Sequence, residues 1–101
     1  MTIPGPTDLY ELVETVVDRE SFLSFARALV LDLEDEARKE QESPSSPYGP
    51  GANGWENGSI EAYLDAAIRW TEAWKGKEHE LPLEPSWRSF AEFLFAGKYY
   101  E

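Results

Sequence analysis

Apolar residues recur along this chain at steps of three and four, the spacing that gathers them on one side of an α-helix, and no run of useful length alternates as a strand would. Leu9, Leu12, Val13 and Val16 form the first such run. Thr7 or Asp8 can cap it, because either side chain can accept from an amide left unpaired in the first turn. The run breaks near Val17, Asp18 can cap a second helix, and Val17 is placed to pack across that cap against Phe22. The second run is the longest. Phe22, Phe25, Ala26, Leu29, Val30 and Leu33 fall on one stripe of a helix from about Arg19 to about Glu40. Asp18 and Glu20 suit the positive end of its dipole, and Arg38 and Lys39 the negative end. Its last turns, DLEDEARKEQE, hold few apolar positions and are expected to project into solvent.

At Gln41 the composition turns to Ser, Pro and Gly. ESPSSPYGPGANG has no periodicity and its prolines lack amide donors, so 41–58 reads as a loop, with Tyr48 and Trp55 pinning part of it down. A third helix is capped by Asn57 or Ser59 and runs to about Lys75. Ile60, Tyr63, Leu64, Ala67, Ile68, Thr71 and Trp74 form its apolar face, and Trp70 sits at the edge. Gly76 is a natural stop. The prolines of the 76–85 linker end any helix there; Ser86 caps a fourth helix carrying Trp87, Phe90, Ala91, Phe93 and Leu94, with Gly97 following its last turn. The expected fold is all-α: a single domain over 1–101, with a 1–6 tail and about four helices. The second, third and fourth share a core that the long loop partly covers.

Composition narrows the function classes. The chain has 101 residues, 42% of them hydrophobic and 14% aromatic, enough for one core, and a formal charge of −11. That charge repels nucleic-acid phosphates and anionic lipid and attracts basic proteins. Without cysteine there is neither a disulfide framework nor a thiolate metal site. No apolar run approaches a membrane span and the N-terminal stretch lacks the pattern of a signal peptide, so a cytoplasmic chain is expected.

Candidate chemistry is sparse. Gly49 to Gly54 spells G-x-G-x-x-G, but the dinucleotide fingerprint needs a preceding strand and a helix opening directly on the glycines, and no Lys or Arg lies nearby. Asp32, Glu34, Asp35 and Glu36 cluster at the end of the second helix. Without a loop glycine or a third convergent ligand they make a poor cation site and read as a solvated helix end or as an electrostatic contact for a basic partner. His79 lies between Glu78 and Glu80 in the linker, with no second histidine to share a metal. Ser21, Ser59 and Ser86 stand at helix starts, where capping is their use. No catalytic residue, metal or cofactor is expected.

SPYGPGANGWENGSIEAYLDAA and LPLEPSWRSFAEFLFAGKYYE resemble a family of small, uncharacterised bacterial proteins with SPYGP, WENG-[ST]-IE and PSWR-x-FAEFL-x-AGK-x-YE signatures, from Asp18 onward. In size, charge and helix content the chain is also similar to the immunity proteins that neutralise nuclease toxins, a likeness of fold and charge only. Together these lead to an expected non-catalytic, macromolecule-binding protein: an acidic immunity-type inhibitor of a basic toxin or nuclease. Asp32, Glu34, Asp35, Glu36 and Glu56 would meet the partner, with Tyr48 or Trp55 as aromatic anchor. The alternative is a regulatory or structural subunit of a larger assembly, contacting it through Trp70, Phe95 and Tyr99.

Overall fold

The computed structural model describes residues 8–74 and 85–101. The 1–6 tail, the Gly76 stop and His79 lie outside them, as does all but Pro85 of the 76–85 linker. Four helices follow in order: α1 (Leu9–Glu14), α2 (Arg19–Glu42), α3 (Ile60–Trp74) and α4 (Trp87–Tyr99). Among the described residues none is long and apolar enough to cross a membrane.

The caps follow the chemistry of the side chains before each helix. The Asp8 carboxylate accepts from the amides of Tyr10 and Glu11. Asp18 and Ser21 form a reciprocal capping box at the start of α2. Ser59 accepts from Ala62, and Ser86 from Ser89. Each such cap contributes about 1 kcal/mol. The expected staple from Val17 does not form: Val17 is exposed and Val16 enters the core in its place. The Val17 amide donates to the Ser21 hydroxyl at 2.9 Å, which turns the chain so that the residue before it points inward.

α4 is the hub. α1, α2 and α3 all pack against it, α1 also touches α2, and the backbones of α2 and α3 do not approach one another. Phe95 of α4 meets Tyr10 of α1, Phe25 of α2 and Tyr99 edge-on, with ring centroids 4.7, 5.9 and 5.0 Å apart. Phe95 and Phe25 are buried, each removing an aromatic ring from water at a gain of about 2 to 3 kcal/mol. Phe95 is therefore core and not the partner contact that the subunit alternative assigned to it, while Trp70 and Tyr99 are half-buried. Where α3 crosses α4, Gly97 lies against the Tyr63 ring, and the small residues Ala66 and Ala67 of α3 and Ala96 of α4 are buried.

Two expectations about faces change. On α3 the inward stripe is Ala66 and Ala67, buried, with Tyr63 and Trp70 half-buried, and Ile60, Leu64 and Ile68 face outward. α4 does not end before Gly97 but continues to Tyr99, and Gly97 lies inside its last turn. A Cβ there would stand 2.7 Å from the Tyr63 ring, so this glycine serves helix packing and not helix termination.

Candidate functional site

The C-terminal half of α2 does not simply project into solvent. The loop folds back over it, and the Glu36 carboxylate is enclosed: the residue is 8% exposed. Its Oε1 accepts from the backbone amides of Asn53 (2.8 Å) and Trp55 (3.2 Å). Gly51 lies against the same carboxylate, which occupies the space a Cβ would need. The loop closes on itself through Gly54 N to Gly51 O at 2.9 Å, with Gly54 at φ +86, a conformation that glycine adopts without strain. Glycine-rich backbone does form an anion cradle here, but the anion is the chain's own glutamate.

One turn earlier, Asp32 fastens the same loop to α4. Its Oδ2 accepts from Trp55 Nε1 at 2.8 Å and from Lys98 Nζ at 2.7 Å, in surroundings mostly closed to water. Lys98 Nζ also lies 5.7 Å from the Trp55 ring centre, and that ring stacks on Tyr63 of α3. Asn53 completes the fastening, donating to Asp32 and Asp35 and accepting from Lys39. The next two loop residues cap α4. Glu56 N donates to Lys98 O, and Asn57 Nδ2 donates to Gly97 O and Tyr100 O, supplying partners to carbonyls a helix end leaves unpaired.

Local charge follows from these contacts. Arg38, then Lys39 and Asn53, hold the Asp35 carboxyl well below the ordinary carboxylate range. Partial burial and the neighbouring Glu101 carboxyl raise that of Glu56. Burial pushes the Tyr63 hydroxyl up to about 12; it donates to Leu94 O at 2.5 Å. Of the residues nominated from sequence, Asp32, Asp35, Glu36 and Trp55 are thus brought together, with their polar groups turned to internal partners. Glu34 is exposed, Glu56 lies half-buried at the end of α4, and Tyr48 stands 98% exposed at the loop tip. Among the described residues no group of three or more His, Cys, Asp or Glu could hold a metal ion.

A second feature lies between α2 and α3. Because both rest on α4 without meeting, they leave a groove of about 470 Å³. Ala26, Leu29, Val30 and Leu33 form one wall and Ile60, Tyr63 and Leu64 the other, with Leu94 and Trp55 between them. Several of these side chains remain open to solvent: Val30 is 57% exposed and Ile60 77%. Ile68 continues the outward row on α3. Exposed charged residues flank both walls by helical spacing: Arg27 and Glu34 on α2, and Glu61 on α3.

The profile of a family of unknown function, DUF7660, matches residues 18–101. The chain belongs to that family. Nothing among curated proteins or solved structures matches it.

In this DUF7660 chain the stretches that carried the resemblance meet in space. GANGW wraps Glu36, WEN caps the end of α4, and the AGK of α4 supplies the Tyr63 contact and the lysine on Asp32. Sequence reasoning missed Lys98, Asn53 and the open groove. Lys98 gave a faint signal, as the cation next to the end of α4, after the apolar run from Phe93 to Ala96. The groove gave none, because its two walls are separated by the loop.

Proposed function

We propose that this DUF7660 chain is a non-catalytic binding protein that docks a basic protein partner on the groove between α2 and α3. The observation that carries the proposal is an open, almost wholly apolar groove on a body of formal charge −11. Isolated exposed apolar residues are ordinary on a protein surface, but contiguous rows rimmed by charge mark interaction sites. With 20 Asp and Glu against 9 Lys and Arg, the field outside the molecule is dominated by carboxylates and steers cations inward.

Of the two forms this function can take, a lasting subunit of a larger assembly draws more support than an inhibitor that meets its target with acid groups alone. Permanent interfaces are the more apolar kind, and the Asp32, Asp35 and Glu36 carboxylates already have internal donors. The immunity-type reading, inhibition of a basic toxin or nuclease, draws its support from Tyr48, held out in solvent beside an acidic surface.

The test is affinity capture from the host at low and high salt, with wild type and Leu64→Asp in parallel. The proposal expects one basic protein, recovered as a stoichiometric complex by wild type and lost by the variant. An acidic partner, equal capture by the variant, or unaided turnover of a substrate by the purified chain overturns it.

A further inference from the structure

We propose that the occupant of the groove is a short amphipathic helix of the basic partner, seated as the missing member of the bundle; this rests on the proposed function and specifies the form the partner presents. Both walls are rows at helical spacing, Ala26, Leu29, Val30 and Leu33 facing Ile60 and Leu64, and they belong to helices that share α4 as a floor without touching. Two helices standing apart on a third leave room for one more, and ridges at three- and four-residue steps are what another helix packs into. The rows from Ala26 to Leu33 and from Ile60 to Ile68 rise about 10 and 12 Å, the length of about two helical turns.

The chemistry of the lining selects the backbone of the guest. Apolar walls offer almost nothing to an unpaired amide or carbonyl, and no described residue forms a strand whose edge could pair with an extended segment. A helix brings its own hydrogen bonds and so enters without leaving polar groups stranded. Charge selects its outer face. A second copy of this chain carries the same −11 and is repelled, as are anionic lipids and fatty acids. A guest with Lys and Arg flanking its apolar stripe meets Glu34 on one side and Glu61 on the other, and keeps its cations clear of Arg27 two turns before Glu34.

The test uses the full chain and three labelled synthetic peptides. The first two share one Leu and Lys composition, in one with Leu at steps of three and four, in the other with Leu alternating; the third is the helical pattern with Glu in place of Lys. Fluorescence anisotropy gives the affinities and far-ultraviolet circular dichroism the helicity. Leu33→Asp and Leu64→Asp report on the groove, and because both side chains are already exposed the fold persists, as the dichroism of the free variants checks. The expected result is that the basic helical peptide binds at least about tenfold more tightly than either other, gains helicity on binding, and loses about tenfold or more on each variant. Equal binding of the alternating peptide, still weakened by the variants, would overturn the helical guest and leave the basic-partner reading standing. Equal binding of the acidic helix would overturn both. Binding indifferent to both variants, no binding by any peptide, or a concentration-dependent dimer of the free chain abolished by Leu64→Asp would overturn the groove as the partner's seat.

Discussion

The enclosure of Glu36 predicts a specific non-additivity. Glu36→Ala removes the acceptor shared by the Asn53 and Trp55 amides. An unpaired buried amide costs about 1 to 3 kcal/mol, and since Asn53 is only half-buried and open to water, the loss for the pair is about 2 to 4 kcal/mol. Gly51→Ala in the wild-type background drives a methyl group into the same carboxylate, which must swing away and give up those bonds, at about 1 to 3 kcal/mol. Gly51 does not have the positive φ found at Gly54, so alanine fits its backbone. Once the carboxylate is gone the methyl has room, and the lower entropy of the unfolded alanine chain favours folding by a few tenths to about 1 kcal/mol. The double variant should therefore be no less stable than Glu36→Ala alone, with a coupling of at least about 1 kcal/mol. Urea unfolding followed by tryptophan fluorescence measures all four corners of the cycle. Gly54→Ala is the control: its positive φ makes it cost about 1 kcal/mol with or without Glu36. Additivity of Gly51→Ala and Glu36→Ala within about 0.5 kcal/mol would refute the enclosure of the carboxylate by the loop.

Other consequences arise from the same contacts. Gly97→Ala places a Cβ 2.7 Å from a Tyr63 ring held by its hydrogen bond to Leu94 O and by stacking on Trp55, and should lower stability by about 1 to 3 kcal/mol in the same unfolding assay. Trp55→Phe keeps a ring for Tyr63 but loses the 2.8 Å bond to Asp32, which retains Lys98; a loss of about 1 to 2 kcal/mol is expected, with helix content by circular dichroism unchanged. Stability should also fall at high pH. The Tyr63 hydroxyl ionises at about 12 when folded and near its ordinary value of about 10 when unfolded, so between these values the unfolded chain has released a proton that the folded chain retains. The stabilisation is complete below about pH 10 and declines as pH rises towards 12, by an amount on the order of 1 kcal/mol once solvent screening of this half-buried group is allowed for. Urea midpoints against pH check this, and Tyr63→Phe should flatten the slope, leaving the smaller part due to Tyr99, whose hydroxyl burial also raises.

The helices and their N-terminal caps were legible in the sequence because capping and periodicity are local. Asp18 with Ser21, and Ser86 with Ser89, act within one turn of chain. The orientation of α3 was not legible. With Ala62, Ala66, Ala67 and Ala73 interleaved among its larger apolar residues, the helix offers two faces that could be buried, and only the partner helix decides between them. Gly97 and Ala96 of α4 favour a close crossing of small residues, so Ala66 and Ala67 are buried and the bulky row of Ile60, Leu64 and Ile68 is left outside. The same long-range dependence governs the candidate site. The carboxylates at the end of α2 read as solvated because only Asp35 has donors close in sequence, Arg38 and Lys39; those of Asp32 and Glu36 arrive from the loop and from α4. The Gly49 to Gly54 match lacks a strand, a helix opening on the glycines and a nearby basic residue, and sequence alone could not say that the backbone there would cradle Glu36.

The fastening of the loop and the open groove are two sides of one arrangement. Asp32, Glu36 and Lys98 hold Trp55 over α4, and the Trp55 ring helps line the groove between α2 and α3. The most direct measurement is a methyl-resolved nuclear magnetic resonance titration of the full chain with the basic partner recovered from its host. Docking on the groove predicts that the methyl signals of Val30, Leu33, Ile60 and Leu64 shift or broaden on binding, with those of Val13 and Val16 in the core unmoved. Shifts confined to the backbone around Tyr48 and Glu34, with the groove methyls unchanged, would contradict it.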